Sequence, residues 1–329
     1  MEQELKQLVS KLADTRILVI GDFLLDEFVF GEISRVSREA PVLILSYRDT
    51  KQCPGGGANT VANVAALMGQ VIPLGVLGQD EASEELLNLW QKGVDTSHVI
   101  RDARTKTTRK TRILAGSFHS YQQQVVRIDF EQEVPLSGEI ENELIARMEA
   151  VLPTVDAVIL SDYSLGIMTS RVRTRAIELA RKQGIPVVAD SRDHPELYAG
   201  ATTVTPNITE VEASLRFLAG KDPHRVEELG RRALQEWALD ALLITRGKLG
   251  MSLFTPDGIS HIPPYGSSDS VDVTGAGDTV AATYTAALAA GASFDAAARL
   301  ANLAGGIVVM KKGTATVSPG ELTTAIESL

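Results

Sequence analysis

The sequence predicts an α/β protein: a mostly parallel central sheet covered by helices on both faces, with a small antiparallel sheet projecting from it. Three observations carry this prediction. Short, β-branched-rich apolar runs that end in Gly, Asp or Asn alternate with helical patterns along most of the 329 residues. Strand–helix–strand repetition implies parallel strands buried on both faces. Two stretches, 27–51 and 106–130, break that rhythm with strand-like pieces that lack a helical period. The length suits one large α/β domain with a smaller appendage. The expected division is 1–26, 52–105 and 131–329 for the core, and 27–51 with 106–130 for the discontinuous small sheet.

Taken in order, the expected buried strands are ILVIG (17–21), VIPLGVLG (71–78), AVILSD (157–162), PVVAD (186–190), TTVTPN (202–207) and ALLITRG (241–247). The expected helices run over 59–68, 81–92, 139–152, 170–183, 208–218 and 225–237. In the two irregular stretches, EFVFGEI and PVLILSY supply one pair of strands. TRKTRILAG and QQQVVRIDF supply another, around a turn-like GSFHSY. Such a sheet can cover a site at the strand ends.

Composition narrows the function. With 44% hydrophobic and 22% charged residues the chain is globular. A formal charge of −10, from 32 Lys+Arg and 42 Asp+Glu, argues against a nucleic-acid partner. One Cys excludes an internal disulfide and an all-Cys metal site, and fits a reducing compartment. The five histidines (His98, His119, His194, His224, His261) show no H-x-x-x-H pair, so zinc is not expected. The start, MEQELKQLVSKLAD, has no apolar signal region, and the charge-free run Thr279 to Phe294 is mostly Ala and Thr. A cytoplasmic protein with no membrane partner is the expectation. Arg101, Arg104, Lys106, Arg109, Lys110 and Arg112 form the one basic run. It reads as a charged edge strand, or as a place where one or two cations meet an anionic substrate.

Two motifs are missing: the P-loop G-x-x-x-x-G-K-[ST], and a G-x-G-x-x-G after the first strand, which ends Gly21-Asp22-Phe23. Four are present. Asp272-Val-Thr-Gly-Ala-Gly-Asp278-Thr precedes an Ala-rich helix, so Gly275, Ala276 and Gly277 leave bare amides near a positive dipole end. Those amides suit a migrating phosphoryl group, and Asp278 beside them suits a proton acceptor. Asp278 as a simple N-cap is the competing reading. In Pro54-Gly55-Gly56-Gly57-Ala58-Asn59 the glycines admit a ligand to the backbone and Asn59 offers a donor and an acceptor. Asn207 and Glu210, three apart at a helix start, can order water around Mg2+ or form a capping box. Thr245 to Gly250 is a glycine turn that can lie along a nucleotide or simply join two strands.

These four elements, in this order, resemble the ribokinase or PfkB family of carbohydrate kinases across essentially the whole chain. The G-D-x-x-x-D start (Gly21, Asp22, Asp26), Ala301-Asn302 and Lys312-Gly-Thr-Ala-Thr also match. The resemblance implies a ribokinase-like fold and transfer of the ATP γ-phosphate to a sugar hydroxyl, with Mg2+. Asp278 then looks like the base, with Gly275, Ala276 and Gly277 as the anion hole. Asp22, Asp26, Gly55, Gly56, Gly57, Asn59 and Asp162 are the expected substrate positions. Asn207, Glu210, Thr245, Gly247, Gly250 and Asn302 are the expected nucleotide positions, with Asn207 and Glu210 serving Mg2+ through water. Asp272 and Thr274 match positions that in some members help hold a monovalent cation, K+. The small sheet resembles the family's lid, which in many members also pairs two subunits into a homodimer.

Within the family, Ser34-Arg-Val-Ser-Arg-Glu-Ala-Pro41, Gln122 to Glu131 and Leu160-Ser-Asp-Tyr163 are most similar to the heptose 7-phosphate kinases. Three positions depart from that branch: Arg38 for Pro, Leu165 for Lys, and Arg192 for Lys. Lys to Arg keeps a charge in another geometry, and Lys to Leu removes it. The alternatives are a kinase of a ribose-, fructose- or ketodeoxygluconate-like sugar, or a non-catalytic sugar- or nucleotide-binding homologue.

Overall fold

The computed structural model describes residues 2–90, 93–116, 123–131, 136–266 and 271–329. The chain opens with α1 (Glu2–Lys11) and β1 (Arg16–Gly21), then runs out along β2 (Phe23–Val36) and back along β3 (Leu43–Gly56) into α2 (Gly57–Ala66). β4 (Gln70–Leu74), β5 (Val76–Gly78), α3 (Glu81–Leu89) and β6 (Ile100–Asp102) precede a second excursion, β7 (Thr108–Gly116) and β8 (Gln123–Phe130). Next come α4 (Gly138–Val151), β9 (Ala157–Asp162), α5 (Ser170–Gln183), β10 (Val187–Ser191), β11 (Thr203–Val204), α6 (Ile208–Leu215) and α7 (Pro223–Glu236). The chain closes with β12 (Ala241–Thr245), β13 (Met251–Thr255), β14 (Gly258–Ile262), α8 (Ala276–Ala289), α9 (Phe294–Val308) and α10 (Pro319–Glu327).

The main sheet has eight strands in the order β14-β13-β12-β11-β10-β9-β1-β4. It is parallel from β4 to β12, and β13 and β14 add an antiparallel edge. Successive residues of a strand point to opposite faces, and helices cover both. Ile17 and Val19 therefore join one apolar cluster with α2, α8 and α9, while Leu18 and Ile20 join the other with α4, α5 and α7. That double burial is why the strands read as unbroken apolar runs. α5 occupies the expected 170–183 because Thr169 accepts from the Val172 amide at one end and Gly184, at φ 70°, stops the other. No helix among the described residues is long and apolar enough to cross a membrane.

Some expectations needed correction. The run 71–78 is two strands, not one. It breaks at Gly75, where a Cβ would sit 2.7 Å from the Gly21 carbonyl oxygen and the Phe23 ring, and β5 pairs with β6 in a separate two-stranded sheet. The run 202–207 contributes only the two residues of β11. Helix α3 ends at Leu89, and residues 91–92 and 117–122, the latter covering most of the expected turn, lie outside the described residues.

The small sheet has the order β3-β2-β7-β8. Its two hairpins, β2–β3 and β7–β8, are antiparallel as expected, but the central pair β2–β7 is parallel. Both excursions leave the main body in the same direction, so outgoing strands laid side by side must run parallel. Pairing begins at Phe23 with Gly56, so β2 and β3 run without interruption from the main body into the projection.

Candidate active site

The site is built around the start of α8. Gly275, at φ 74°, is the N-cap, which leaves Asp278 inside the first turn rather than capping it. A Cβ on Gly275 would lie 2.6 Å from the Asn59 amide nitrogen, so both backbone angle and space require glycine. Asp278 is 3% exposed. Its Oδ1 accepts from Tyr163 OH at 2.7 Å and Thr60 Oγ1 at 3.2 Å, and its Oδ2 accepts from Asn59 Nδ2 at 2.7 Å. Burial pushes the Asp278 carboxyl up to about 6, against the pull of those three donors. It is therefore ionised at neutral pH and close to the range useful for a general base. Of the neighbouring amides, that of Ala276 donates to Val273 O at 3.3 Å, while that of Gly277 has no partner among the described residues.

Asp278 opens into a cavity of about 310 Å³. Thr274, Gly275 and Thr314 line it beside Asp278, and Gly55, Gly56 and Asn59 face them. The small sheet contributes Asp26, Lys110, Arg112 and Arg127, and the ends of β9 and β10 add Tyr163 and Arg192. Lys110 and Arg112 are two apart on β7 and share a face, and Arg127 lies opposite Arg112 in register. Arg112 donates to Asp26 and stands 5.2 Å over the Phe28 ring. Lys110 pairs with Glu131 at 2.9 Å, Arg127 with Asp129 at 2.8 Å, and Arg192 with no acidic group among the described residues. The rest of the basic run lies elsewhere: Arg101 bonds Gly78 O and Glu84, and Arg109 stacks over Phe130.

Of the residues expected at the substrate, Asp26, Gly55, Gly56 and Asn59 meet here, and Asp22, Gly57 and Asp162 do not line the cavity. Asp22 is buried and accepts the backbone amides of Tyr163, Leu165 and Ile167, so it anchors the loop that carries Tyr163. Burial raises its carboxyl to about 6. Asp162 accepts from the Ser164 amide and Tyr198 OH. Gly57 donates to Asp22 O at 2.9 Å. Asp272 is engaged by the amides of Thr274 at 2.9 Å and Gly313 at 3.0 Å, which fixes the segment bearing Thr314.

The expected nucleotide residues gather at the ends of β11 and β12. Asn207 and Glu210 form a reciprocal capping box on α6, with Glu210 N donating to Asn207 Oδ1 at 3.0 Å and Asn207 N to Glu210 Oε2 at 2.7 Å. Asn207 bridges Thr245 of the neighbouring strand. From there the chain makes a single helical turn, Gly247–Leu249, to Gly250, which packs against the backbone of Ile262 to Pro264. Asn302 donates to Pro263 O at 2.9 Å, which brings α9 to the same place. Between the two ends, burial and the charges of Asp278 and Glu210 push Asp190 up to about 8, and burial takes Glu210 to about 7. These hard oxygens suit Mg2+. Among the described residues no group of three or more His, Cys, Asp or Glu is arranged to hold a metal, so nucleotide phosphates and water would complete its shell.

Sequence reasoning gave no role to Tyr163, Thr60 or Asn63, or to Arg127. Tyr163 follows the carboxyl end of β9, where ligands gather in open α/β sheets, and that position was the available signal.

The strand order and the projecting sheet define a ribokinase-like α/β fold. Solved structures share it: ribokinase of Arabidopsis thaliana complexed with ribose and ATP has 18% identity and a TM-score of 0.74 over 95% of this chain and 99% of that one. Phosphofructokinase-2 of Escherichia coli in complex with potassium has 20% identity and a TM-score of 0.75 over the same shares. The pfkB family carbohydrate kinase model matches residues 14–320. The chain belongs to that family and is an ATP-dependent carbohydrate kinase. It is 41% identical over 328 residues to "Bifunctional protein HldE" of Geotalea uraniireducens, which covers 97% of this chain and 64% of that relative. The chain thus spans less than two thirds of that protein's length.

Proposed function

We propose that the acceptor is a sugar that already carries a phosphate, with heptose 7-phosphate as the first candidate. One observation carries the reading: four cations, Lys110, Arg112, Arg127 and Arg192, line the cavity around two carboxylates, Asp26 and Asp278. Guanidinium groups bind phosphate through paired charge-assisted hydrogen bonds. Of the three departures from the heptose kinase pattern, only Arg192 reaches this cavity, and it keeps the charge. Leu165 lines a separate cavity with Asp22 and Ile167, and Arg38 lies in the exposed β2–β3 connection.

In this reading Asp26 and Asn59 hold the sugar side of the cavity. ATP lies along Thr245, Gly247 and Gly250, with its Mg2+ near Asn207 and Glu210 and with Asn302 supporting the turn. Mg2+ would neutralise charge on the phosphates. Asp278 takes the proton of the acceptor hydroxyl, while the amides of Gly275 to Gly277 face the equatorial oxygens, that of Gly277 being the least engaged. The small sheet closes the cavity as a lid. A K+ ion near Asp272 and Thr274 belongs to the same reading and would show as a rate difference between K+ and Na+ buffers. The small sheet exposes Ile33, Val126, Ile128 and Phe130, with Val42 exposed just before β3, so the lid also pairs two copies into a homodimer. The test is initial-rate kinetics on heptose 7-phosphate, unphosphorylated heptose, ribose, fructose and ketodeoxygluconate. An unphosphorylated sugar with an equal or higher kcat/KM ends the reading.

A further inference from the structure

The Asp278 carboxylate is held asymmetrically. Asn63 sits one turn after Asn59 on α2, 1% exposed and outside the cavity. Its Nδ2 donates to the Asn59 backbone carbonyl at 2.9 Å. A main-chain carbonyl only accepts, so this contact fixes which end of the Asn63 amide is which. The same Nδ2 donates to Asn59 Oδ1 at 3.2 Å, and Thr279 Oγ1 donates to Asn63 Oδ1 at 2.8 Å. Asn59 must then turn Oδ1 toward Asn63 and Nδ2 toward Asp278, with Gly275 O as a second acceptor at 3.5 Å. On Asp278 itself, Oδ1 receives two donors, Tyr163 and Thr60, whereas Oδ2 receives Asn59 alone. A carboxylate oxygen offers two lone-pair directions. Oδ1 is full and Oδ2 keeps one free.

We infer that Asn63 and Tyr163 are positioning residues that assign the transferred proton to Oδ2 of Asp278. Tyr163 closes Oδ1, and Asn63 orients Asn59 as a donor that aims and stabilises Oδ2. The inference rests on Asp278 being the base. In the step, the acceptor O–H bond breaks and its proton goes to Oδ2. The freed pair forms the bond to the γ-phosphorus of ATP, and the bond from that phosphorus to the bridging oxygen breaks with its pair leaving on ADP. The charged and titratable groups that share the cavity with Asp278 are Asp26 on β2, Lys110 and Arg112 on β7, Arg127 on β8, Tyr163 after β9 and Arg192 after β10. Asp190 on β10 acts on it through charge. Removing one neutral donor leaves the charges among them in place.

The test compares Tyr163→Phe and Asn63→Leu with Asp278→Asn. Each of the first two should lower kcat about tenfold with the KM for ATP unchanged, the scale of one hydrogen bond to a charged group. Each should also move the acid limb of the kcat/KM profile to higher pH by about one unit, because Tyr163→Phe removes a donor to the carboxylate and Asn63→Leu frees Asn59 to turn its donor away from it. Wild-type kcat and an unmoved acid limb in both variants overturn the inference. If Asn63→Leu does not fold, the Tyr163→Phe profile decides alone. The two readings separate cleanly. Near-normal turnover in Asp278→Asn rejects Asp278 as the base, whereas an inactive Asp278→Asn beside wild-type-like behaviour in every folded one of the two positioning variants rejects only the assignment to Oδ2.

Discussion

The proposed acceptor and nucleotide ends of the site are made in opposite ways. At the acceptor end the polar side chains are buried and wired together: Asp278, Asn59 and Thr60 are 3%, 2% and 0% exposed. At the nucleotide end Asn207, Gly247 and Leu249 are exposed, and the structure there consists of a capping box and a backbone turn. Burial strengthens each hydrogen bond and makes an unpaired group costly. The acceptor end should therefore be intolerant of side-chain change, and the nucleotide end sensitive mainly to backbone change.

The largest effect that tests this contrast is Asp278→Asn. It should reduce kcat by at least about 100-fold, the scale of lost base catalysis, while calorimetry shows ATP affinity close to normal. A parallel loss of ATP affinity would erase the distinction between the two ends.

Next is Arg192→Ala, which removes a cation from the cavity without touching Asp278. The KM of a phosphorylated acceptor should rise about tenfold or more, with the KM for ATP steady. An equal rise for an unphosphorylated sugar would show that Arg192 does not read the phosphate.

The pH profile sharpens the comparison further. A base works ionised, and Asp278 is raised from the ordinary carboxylate range to about 6. The rate should therefore fall as pH drops through about 6, approaching tenfold per unit below it. An acid limb near pH 4 would mean that the carboxyl is not buried when sugar binds.

On the nucleotide side, Gly250→Ala places a Cβ against the Ile262 carbonyl at φ 78°. With ψ at −133° this is a backbone region that essentially only glycine populates, and forcing a side chain into it costs about 1–3 kcal/mol. Thermal unfolding should drop by several degrees, and the KM for ATP should rise more than that of the sugar. The smallest effect is expected from Glu210→Gln, which keeps a capping side chain. Stability should change by about 1 kcal/mol or less, and the Mg2+ concentration needed for half-maximal rate should increase. A kcat collapse in Glu210→Gln would place the nucleotide end among the wired parts.

Legibility followed range of interaction. α5 was readable to the residue because Thr169 and Gly184 mark its ends locally. The glycine run 55–57 stood out, but its reason did not: a Cβ on Gly55 would collide with Asp26 and Leu24, and one on Gly57 would lie 3.1 Å from Asp22 O. Asn207 and Glu210 were legible as a capping box because the motif is three residues long. Tyr163 was invisible as a partner of Asp278 because 115 residues separate them and no local pattern records the contact. The parallel β2–β7 pair was missed for the same reason, since periodicity reports faces and not neighbours.

By itself, the sequence determined the alternation of strand and helix, the double-sided burial of the sheet, the small-residue turn before α8 and the membership of a kinase family. Each depends on periods, caps or short motifs that neighbouring residues can express. Tertiary structure alone decided which carboxylates are buried against donors, which four cations share a cavity, and which oxygen of Asp278 stays open. Those properties arise only when distant strands bring their ends together and exclude water around charges that would be ordinary in an unfolded chain.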